Sequence, residues 1–371
     1  MPVKLVSEMV GNLSVARQGH AAFLVDDCRI LICGGFTATR SAHRRYTPKA
    51  TAFWNTETNA EEPSPDMKSA RFAGSFTRLP GGKIVAVGGV EQDGSVVRYN
   101  RNVEIYDHQL GRWEQAPIEV SPRAFHSATA LDETRVLIVG GRSGTSLVQA
   151  RHRMDIEILD TEKWTIETIG DLEHPREHSS IATRHDHARL LFGGFTVDCQ
   201  SANSTFFDII HLDGSISSTT SPGLPSRKWS GTIQVQDQIW MTGGIVSMSS
   251  YRASWMKNFV FSTQSEKWTE VQPLQSIRIK HLLVPVHLGV AAIGGWTPND
   301  ADSAKVEYIS ALPGVSTICG ELLIPRWSHS VSAIGDGRFI VIGGCSQNAS
   351  ISNIERLSFT VYSPVTASSY S

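Results

Sequence analysis

Short apolar runs ending in a glycine pair recur seven times along the chain, and nothing else in the sequence constrains the fold so tightly. They are LICGG at Gly34 and Gly35, VAVGG at Gly88 and Gly89, LIVGG at Gly140 and Gly141, LLFGG at Gly193 and Gly194, WMTGG at Gly243 and Gly244, AAIGG at Gly294 and Gly295, and VIGG at Gly343 and Gly344. Successive first glycines are 54, 52, 53, 50, 51 and 49 residues apart. A period of about 50 residues marks an array of one supersecondary unit that cannot bury its faces alone. No segment is left over for a second domain.

Each pair is preceded by an arginine, 16 or 17 residues before the first glycine: Arg17, Arg71, Arg123, Arg176, Arg227, Arg278 and Arg326. A polar loop follows each pair, then often an apolar run with an acid and a later tryptophan, as in NVEIYDHQLGRW ending at Trp113, MDIEILDTEKW at Trp164 and FVFSTQSEKW at Trp268. These intervals suit four short antiparallel strands per unit, with turn residues such as DD, DET and GDG between the first two.

The P-R-x-x-H-S opening, the strand closing on Gly-Gly and the later tryptophan resemble the kelch repeat over nearly the whole chain. PRAFHS with LIVGG and MDIEILDTEKW, and PRWSHS with VIGG, match it best. Repeats 4, 6 and 7 lack the tryptophan, and repeat 5 opens with SRKWSG. The resemblance implies an all-β, seven-bladed propeller with four antiparallel strands per blade around a central channel. One domain, residues 1–363, is expected, followed by a polar tail at 364–371. The last repeat supplies only three strands, and VKLVSEMV precedes Arg17 much as WEQAPIEV precedes Arg123. Residues 1–10 are therefore expected to add the closing outer strand of blade 7. The tryptophan is expected to fill space between adjacent blades.

Hydrophobic residues at 40% and charged residues at 19% allow a full core. A net charge of -2 excludes a globally basic nucleic-acid binder. No stretch approaches the roughly 18 apolar residues of a membrane helix, and the N-terminus has no signal-like run. Five cysteines without C-x-x-C spacing fit free thiols in a reducing compartment. A cytoplasmic protein is expected, with no nucleic-acid or membrane partner; oligomeric state is left open.

HPREH, residues 174–178, matches a zinc-hydrolase pattern of two histidines and a glutamate. That chemistry needs a helix to bring His174 and His178 to one face, whereas Pro175 and a following strand oppose one. The motif is expected to be the opening of repeat 4, and RHDH at 184–187 a turn on the opposite rim. GGRSGTS lacks the lysine of a phosphate-binding loop. The copper oxidases among kelch relatives use a cysteine-linked tyrosine, a second tyrosine and paired histidines, and the plant specifier proteins an E-x-x-x-D-x-x-x-H iron triad. Neither set can be assembled here, so no metal and no cofactor are expected.

Kelch relatives commonly use the mouth formed by the loops entering the first strand and those after Gly-Gly. Transferred here, the resemblance places the seven arginines at the mouth, with His20, His126, His178, Trp229, Lys280, His281, Trp327 and His329. Arg44, Arg45, Phe195, Tyr251 and Trp296 come from the loops after Gly-Gly. Converging cations would favour a carboxylate or phosphate. The expected function is a binding platform for an acidic protein segment or another anionic partner. The alternative is a metal-free isomerase, epimerase or cyclase using His126, His178, His281 or His329 as acid or base.

Overall fold

A computed structural model describes residues 3–39, 45–147, 149–195, 206–211, 213–220, 227–245, 255–297, 302–310 and 316–361. The described chain is all β, in antiparallel four-stranded sheets, with no α-helix among the described residues. Each glycine-pair repeat contributes one such sheet.

Repeat 3 shows how the sequence builds the unit. Its strands Ser127–Ala130, Arg135–Val139, Asp155–Asp160 and Thr165–Asp171 pair antiparallel in chain order. The first turn is set by Asp132, whose Oδ1 accepts the backbone N–H of Thr134 and Arg135 at 3.0 and 2.8 Å. Asp26 does the same for Cys28 and Arg29 in repeat 1. An aspartate bonding the backbone two and three residues ahead fixes a tight reversal without help from the core.

The second strand carries the packing logic. Side chains alternate across a strand, so Val136 and Ile138 point to one face and Leu137 and Val139 to the other. Val136 and Ile138 pack with Val85 and Val87 of repeat 2, while Leu137 and Val139 pack with Leu191 and Ile210 of repeat 4. Burying each such side chain is worth about 1.5–3 kcal/mol, available only when both neighbouring sheets are present. The inter-sheet tryptophans follow the same logic. Trp113 joins a cluster with Leu31 and Cys33 of repeat 1, and Trp268 lies edge-on to Phe192 of repeat 4 at 5.5 Å.

The glycine pairs stitch neighbours together. The second glycine of each pair donates its N–H to the carbonyl of the arginine opening the next repeat, at 2.8–3.2 Å; the series runs from Gly35 to Arg71 through to Gly344 and Arg17. Gly88 and Gly89 show why no other residue serves. Both have positive φ, and a Cβ on Gly88 would lie 2.5 Å from the Arg123 carbonyl oxygen.

The N-terminal strand Val3–Asn12 is an edge strand of the sheet of repeat 7, paired antiparallel with Asn353–Val361. Val3 and Leu5 bury against Val284, Val341 and Leu357. The loops after Gly-Gly in repeats 1 and 2 make a further sheet, from Val96–Tyr99, Val90–Asp93, Arg45–Tyr46 and Thr37–Ala38. Arg142–Gly144 and Ala150–His152 form a hairpin after the pair of repeat 3.

Candidate functional site

The seven arginines are structural, a role visible once their partners are followed. Each sits at 0–2% exposure and donates from Nη1 to the carbonyl of the first glycine in its own repeat, at 2.6–3.5 Å. In five repeats a buried carboxylate near the start of the third strand completes the arrangement: Arg71 with Glu104 (2.7 Å), Arg123 with Glu157 (2.6 Å), Arg176 with Asp208 (2.9 Å), Arg278 with Glu307 (3.1 Å) and Arg326 with Glu355 (2.5 Å). Glu104 also accepts the N–H of Lys68 and Ser69, and Glu355 those of Leu323 and Ile324, so the ion pair fixes the loop leading into each arginine. Repeat 1 has Ala52 where the acid stands, and Arg17 turns to the Ala50 carbonyl at 3.0 Å. In repeat 5 the Arg227 guanidinium lies over Phe259, 5.0 Å from the ring centroid. Enclosed and engaged in this way, Arg17, Arg71, Arg123, Arg176, Arg227, Arg278 and Arg326 present no face to a ligand, which corrects their expected place at the mouth.

Three of the four candidate acid–base histidines are buried between sheets; of these only His126 also borders the mouth cavity described below, among the described residues. His126 Nε2 is 2.8 Å from Ser75 Oγ, and His281 Nε2 is 2.7 Å from Thr242 Oγ1; His20 and Ser330 make the same contact at 2.7 Å. His329 is equally buried, yet neither ring nitrogen has a partner, because Leu282 occupies the position that Ser75 and Ser330 hold for their histidines. Burial holds His126 and His329 in the neutral form, with pKa pushed down to about 3, and moves His20 and His281 the same way. These rings fill inter-sheet space.

The mouth is built by the residue two places after each arginine: Gly19, Ala73, Phe125, His178, Trp229, Lys280 and Ser328. All seven adopt positive φ, between 50° and 59°. Six of them carry a Cβ, which makes this conformation costly, and its recurrence shows the surrounding structure enforcing it. Their backbones join neighbours: Phe125 donates to Ala73 (2.8 Å), His178 to Phe125 (3.0 Å), Lys280 to Trp229 (2.8 Å), Ser328 to Lys280 (3.3 Å) and Gly19 to Ser328 (2.8 Å). The left-handed turn aims these side chains at a shared cavity of about 590 Å³, which also takes in Phe72, Arg142 and Glu177.

The cavity is lopsided. Gly19, Ala73 and Ser328 leave one side open, while Phe125, His178, Trp229 and Lys280 fill the other. His178 stacks on Phe125 at 4.7 Å and meets Trp229 at 6.0 Å. The Lys280 ammonium lies 4.7 Å from the Trp229 ring centroid and 4.3 Å from that of Trp327; Lys228 is 4.4 Å from Trp229. Arg142 covers Phe125 at 4.5 Å and pairs with Glu177 at 3.2 Å. Burial, then Lys280, Arg142 and Lys228, push the His178 pKa to about 3, and burial lowers that of Lys280. Glu177 is the single acid lining the cavity among the described residues.

His178 and Trp229 thus come together with Lys280, and Trp327 supports that lysine. Arg45 is exposed on the loop sheet, and Trp296 packs over Ile245 and Ile279. Arg44 and Tyr251 lie outside the described residues, as does the Phe195 side chain. Sequence reasoning did not include Phe72 or Glu177 in the ligand group. An acid near the start of the third strand, opposite the arginine of the same repeat, was the available sign that those arginines are satisfied internally. In HPREH, Glu177 and His178 begin the strand Glu177–Thr183 and face Arg142 and Phe125. His187 bonds back to Arg184 in the turn on the far rim. No group of three or more His, Cys, Asp or Glu side chains that could hold a metal ion occurs among the described residues.

Comparison with known proteins agrees with this architecture. The flagellar outer-arm dynein alpha chain of Chlamydomonas reinhardtii is 32% identical over 151 residues, 38% of this chain and 3% of that protein. Alpha-scruin of Limulus polyphemus is 22% identical over 257 residues, 67% of this chain and 27% of that protein. The chain therefore spans only a small part of either relative. A fungal alcohol oxidase of the AA5 family, solved with copper, superposes with a TM-score of 0.70 at 13% identity, covering 95% of this chain and 75% of that one, a likeness of fold alone. The KLHDC2/KLHL20/DRC7 Kelch-repeats domain matches residues 5–194, and with the repeated strand, glycine and arginine pattern it shows that this chain belongs to the kelch-repeat family.

Proposed function

We propose that the seven sheets close into a single seven-bladed kelch propeller over residues 1–363, with the N-terminal strand completing blade 7, and that its mouth binds an acidic segment of a protein partner. The observation that carries the binding reading is the composition of the mouth cavity. It combines aromatic surface from Phe72, Phe125 and Trp229 with Lys280 and Arg142, against one acid, Glu177. Partly desolvated cations attract an anion more strongly than the same charges on an open rim. Aromatic groups supply contact area at low entropy cost. Exposed Arg45, Arg98 and Arg151 on the loops above extend the positive field outward and favour fast, salt-sensitive capture.

The acid–base alternative has less support, since His281 and His329 are enclosed between sheets, and His126 and His178, which border the cavity, stay neutral far below physiological pH.

The test uses Trp229 as a reporter. Acetyl-tetraglutamate amide is titrated into the protein while tryptophan fluorescence is followed, with the tetralysine peptide as control. The expected result is saturable binding of tetraglutamate alone, weakened at least five-fold between 50 and 200 mM salt (roughly one Debye-screened contact or more) and abolished by Lys280→Glu at unchanged melting temperature. Binding that survives Lys280→Glu would overturn the assignment of the site.

A further inference from the structure

We propose that the partner segment binds as an extended β-strand, hydrogen-bonded to the open edge of Val96–Tyr99 beside the mouth. This rests on the acidic-segment reading above and adds how the segment is held.

The loops after Gly-Gly form a lip over the mouth, and their backbone hydrogen bonds define where that lip is joined. Between repeats 1 and 2 the join is made. Gln92 donates its N–H to Thr47 Oγ1 at 2.9 Å and accepts the Thr47 N–H at 3.0 Å, and Tyr46 pairs with Asp93. At the far end of the same sheet, Ser350 Oγ of repeat 7 accepts the Ala38 N–H at 3.0 Å. Between repeats 2 and 3 the join is missing: Val96–Tyr99 is the last strand of its sheet, and Arg142–Gly144 with Ala150–His152 forms a separate one.

Register identifies the open groups. In an antiparallel pair, opposite residues alternate between exchanging both hydrogen bonds and turning both N–H and C=O outward. Gln92 and Val90 turn theirs away from the hairpin, to Thr47 and Phe72. Their opposites, Val97 and Tyr99, therefore turn theirs to the other side, where no hydrogen bond from a described residue meets them. In repeat 3, Arg142 is bonded outward to Ala124, so Gly144 two residues on also points outward. Gly144 follows its glycine pair at the same distance as Gln92, but no counterpart of Thr47 faces it among the described residues.

Other outer strands are protected against pairing. Arg112–Glu119 contains Pro117, and the register of Val3–Asn12 shifts between Met9 and Gly11. Val96–Tyr99 has neither device, which leaves a template for an added strand. The edge lies at the rim of the cavity, because Tyr99 is within electrostatic reach of Arg142 and Glu177, which both line it. Charge suits an acidic strand. Exposed Arg98 and Arg151 stand on the two unjoined hairpins, and neither forms an ion pair among the described residues, while Glu91 and Asp93 sit on the strand behind.

The experiment compares acetyl-tetraglutamate amide with the same peptide N-methylated at all four glutamates, which keeps every carboxylate and loses the glutamate N–H donors. Tryptophan fluorescence should show the methylated peptide weaker by about ten-fold or more, the loss expected of two backbone hydrogen bonds. Val97→Pro removes a donor that the sheet does not use, and should weaken tetraglutamate about five-fold with the melting temperature retained. Amide hydrogen exchange on the parent protein gives a reading independent of that variant: saturating tetraglutamate should slow exchange at Val97, Tyr99 and Gly144. Equal affinity for the two peptides, or no slowing at those three amides while tetraglutamate is bound, overturns the strand inference and leaves the mouth reading standing. Failure of tetraglutamate to bind the parent protein removes both.

Discussion

Five buried histidines, His20, His126, His178, His281 and His329, make this fold sensitive to mild acid, and the size of the effect follows from their surroundings. His126, His178 and His329 have pKa values pushed to about 3, chiefly by burial, and His20 and His281 are lowered in the same direction. In the unfolded chain each titrates near 6.5. Between those limits the unfolded state binds protons that the folded state refuses, so stability falls as pH falls. At pH 5.5, one unit below the unfolded value, each histidine with a folded pKa of about 3 costs about 1.4 kcal/mol, so His126, His178 and His329 together cost about 4 kcal/mol, and His20 and His281 add in the same direction. That is comparable with a typical total stability of roughly 5–15 kcal/mol. Carboxylates held low by arginine act later: Asp155, with its pKa lowered to about 2, loses its contribution only as the pH falls below about 4. The window from pH 6.5 to 5 therefore belongs to the histidines. Thermal melts followed by circular dichroism, in half-unit steps from pH 7.5 to 5.0, should show a melting temperature that drops continuously below 6.5, with unfolding setting in by about pH 5. His329→Leu provides the internal control. Its ring nitrogens have no partners, so the variant should match or exceed the parent at pH 7.5 and lose about 1.4 kcal/mol less stability than the parent at pH 5.5. A melting temperature unchanged between pH 7.5 and 5.5 would refute the reasoning.

Other consequences are equally direct. Glu104→Gln and Glu355→Gln leave Arg71 and Arg326 as buried cations without a counter-charge, and urea unfolding should show losses of about 3–5 kcal/mol for each. Deleting residues 1–10 removes most of the strand paired with Asn353–Val361 and uncovers the apolar surface around Leu357, so the truncated protein should melt far below the parent; equal melting would sink the role given to that strand. Leu282→Ser places a hydroxyl where Ser75 and Ser330 meet their histidines and should satisfy His329, raising stability by about 1 kcal/mol in the same urea assay.

Much of the fold was legible because the repeat is enforced by backbone geometry. A glycine pair with positive φ, against which the next arginine's carbonyl packs, tolerates no substitute, so it prints itself at every turn of the array. The pairing of VKLVSEMV with the last sheet was legible from a missing strand. The site was less so. Arginine at a mouth-lining position reads as a ligand group, but its meaning changes when an acid follows near the start of the third strand, as Glu104, Glu157, Asp208, Glu307 and Glu355 do. The position two after the arginine carries almost no compositional signal: glycine, alanine, phenylalanine, histidine, tryptophan, lysine and serine share only a left-handed φ, which is invisible in a string of letters. That freedom is what a site of specificity on a rigid scaffold requires. The commitment of Arg142 to Phe125 and Glu177 depends on contacts between repeats that no local pattern encodes.

The claim that this kelch chain binds through the left-handed residues of its mouth, and not through its seven buried arginines, is tested most directly by one pair of titrations. Tetraglutamate is titrated into the parent protein and into the Lys280→Ser variant, with melting temperatures measured on the same samples. The account predicts saturable binding to the parent and none to the variant while the variant remains folded, with the melting temperature showing that loss of binding is not loss of the fold. Undiminished binding by the variant would contradict it.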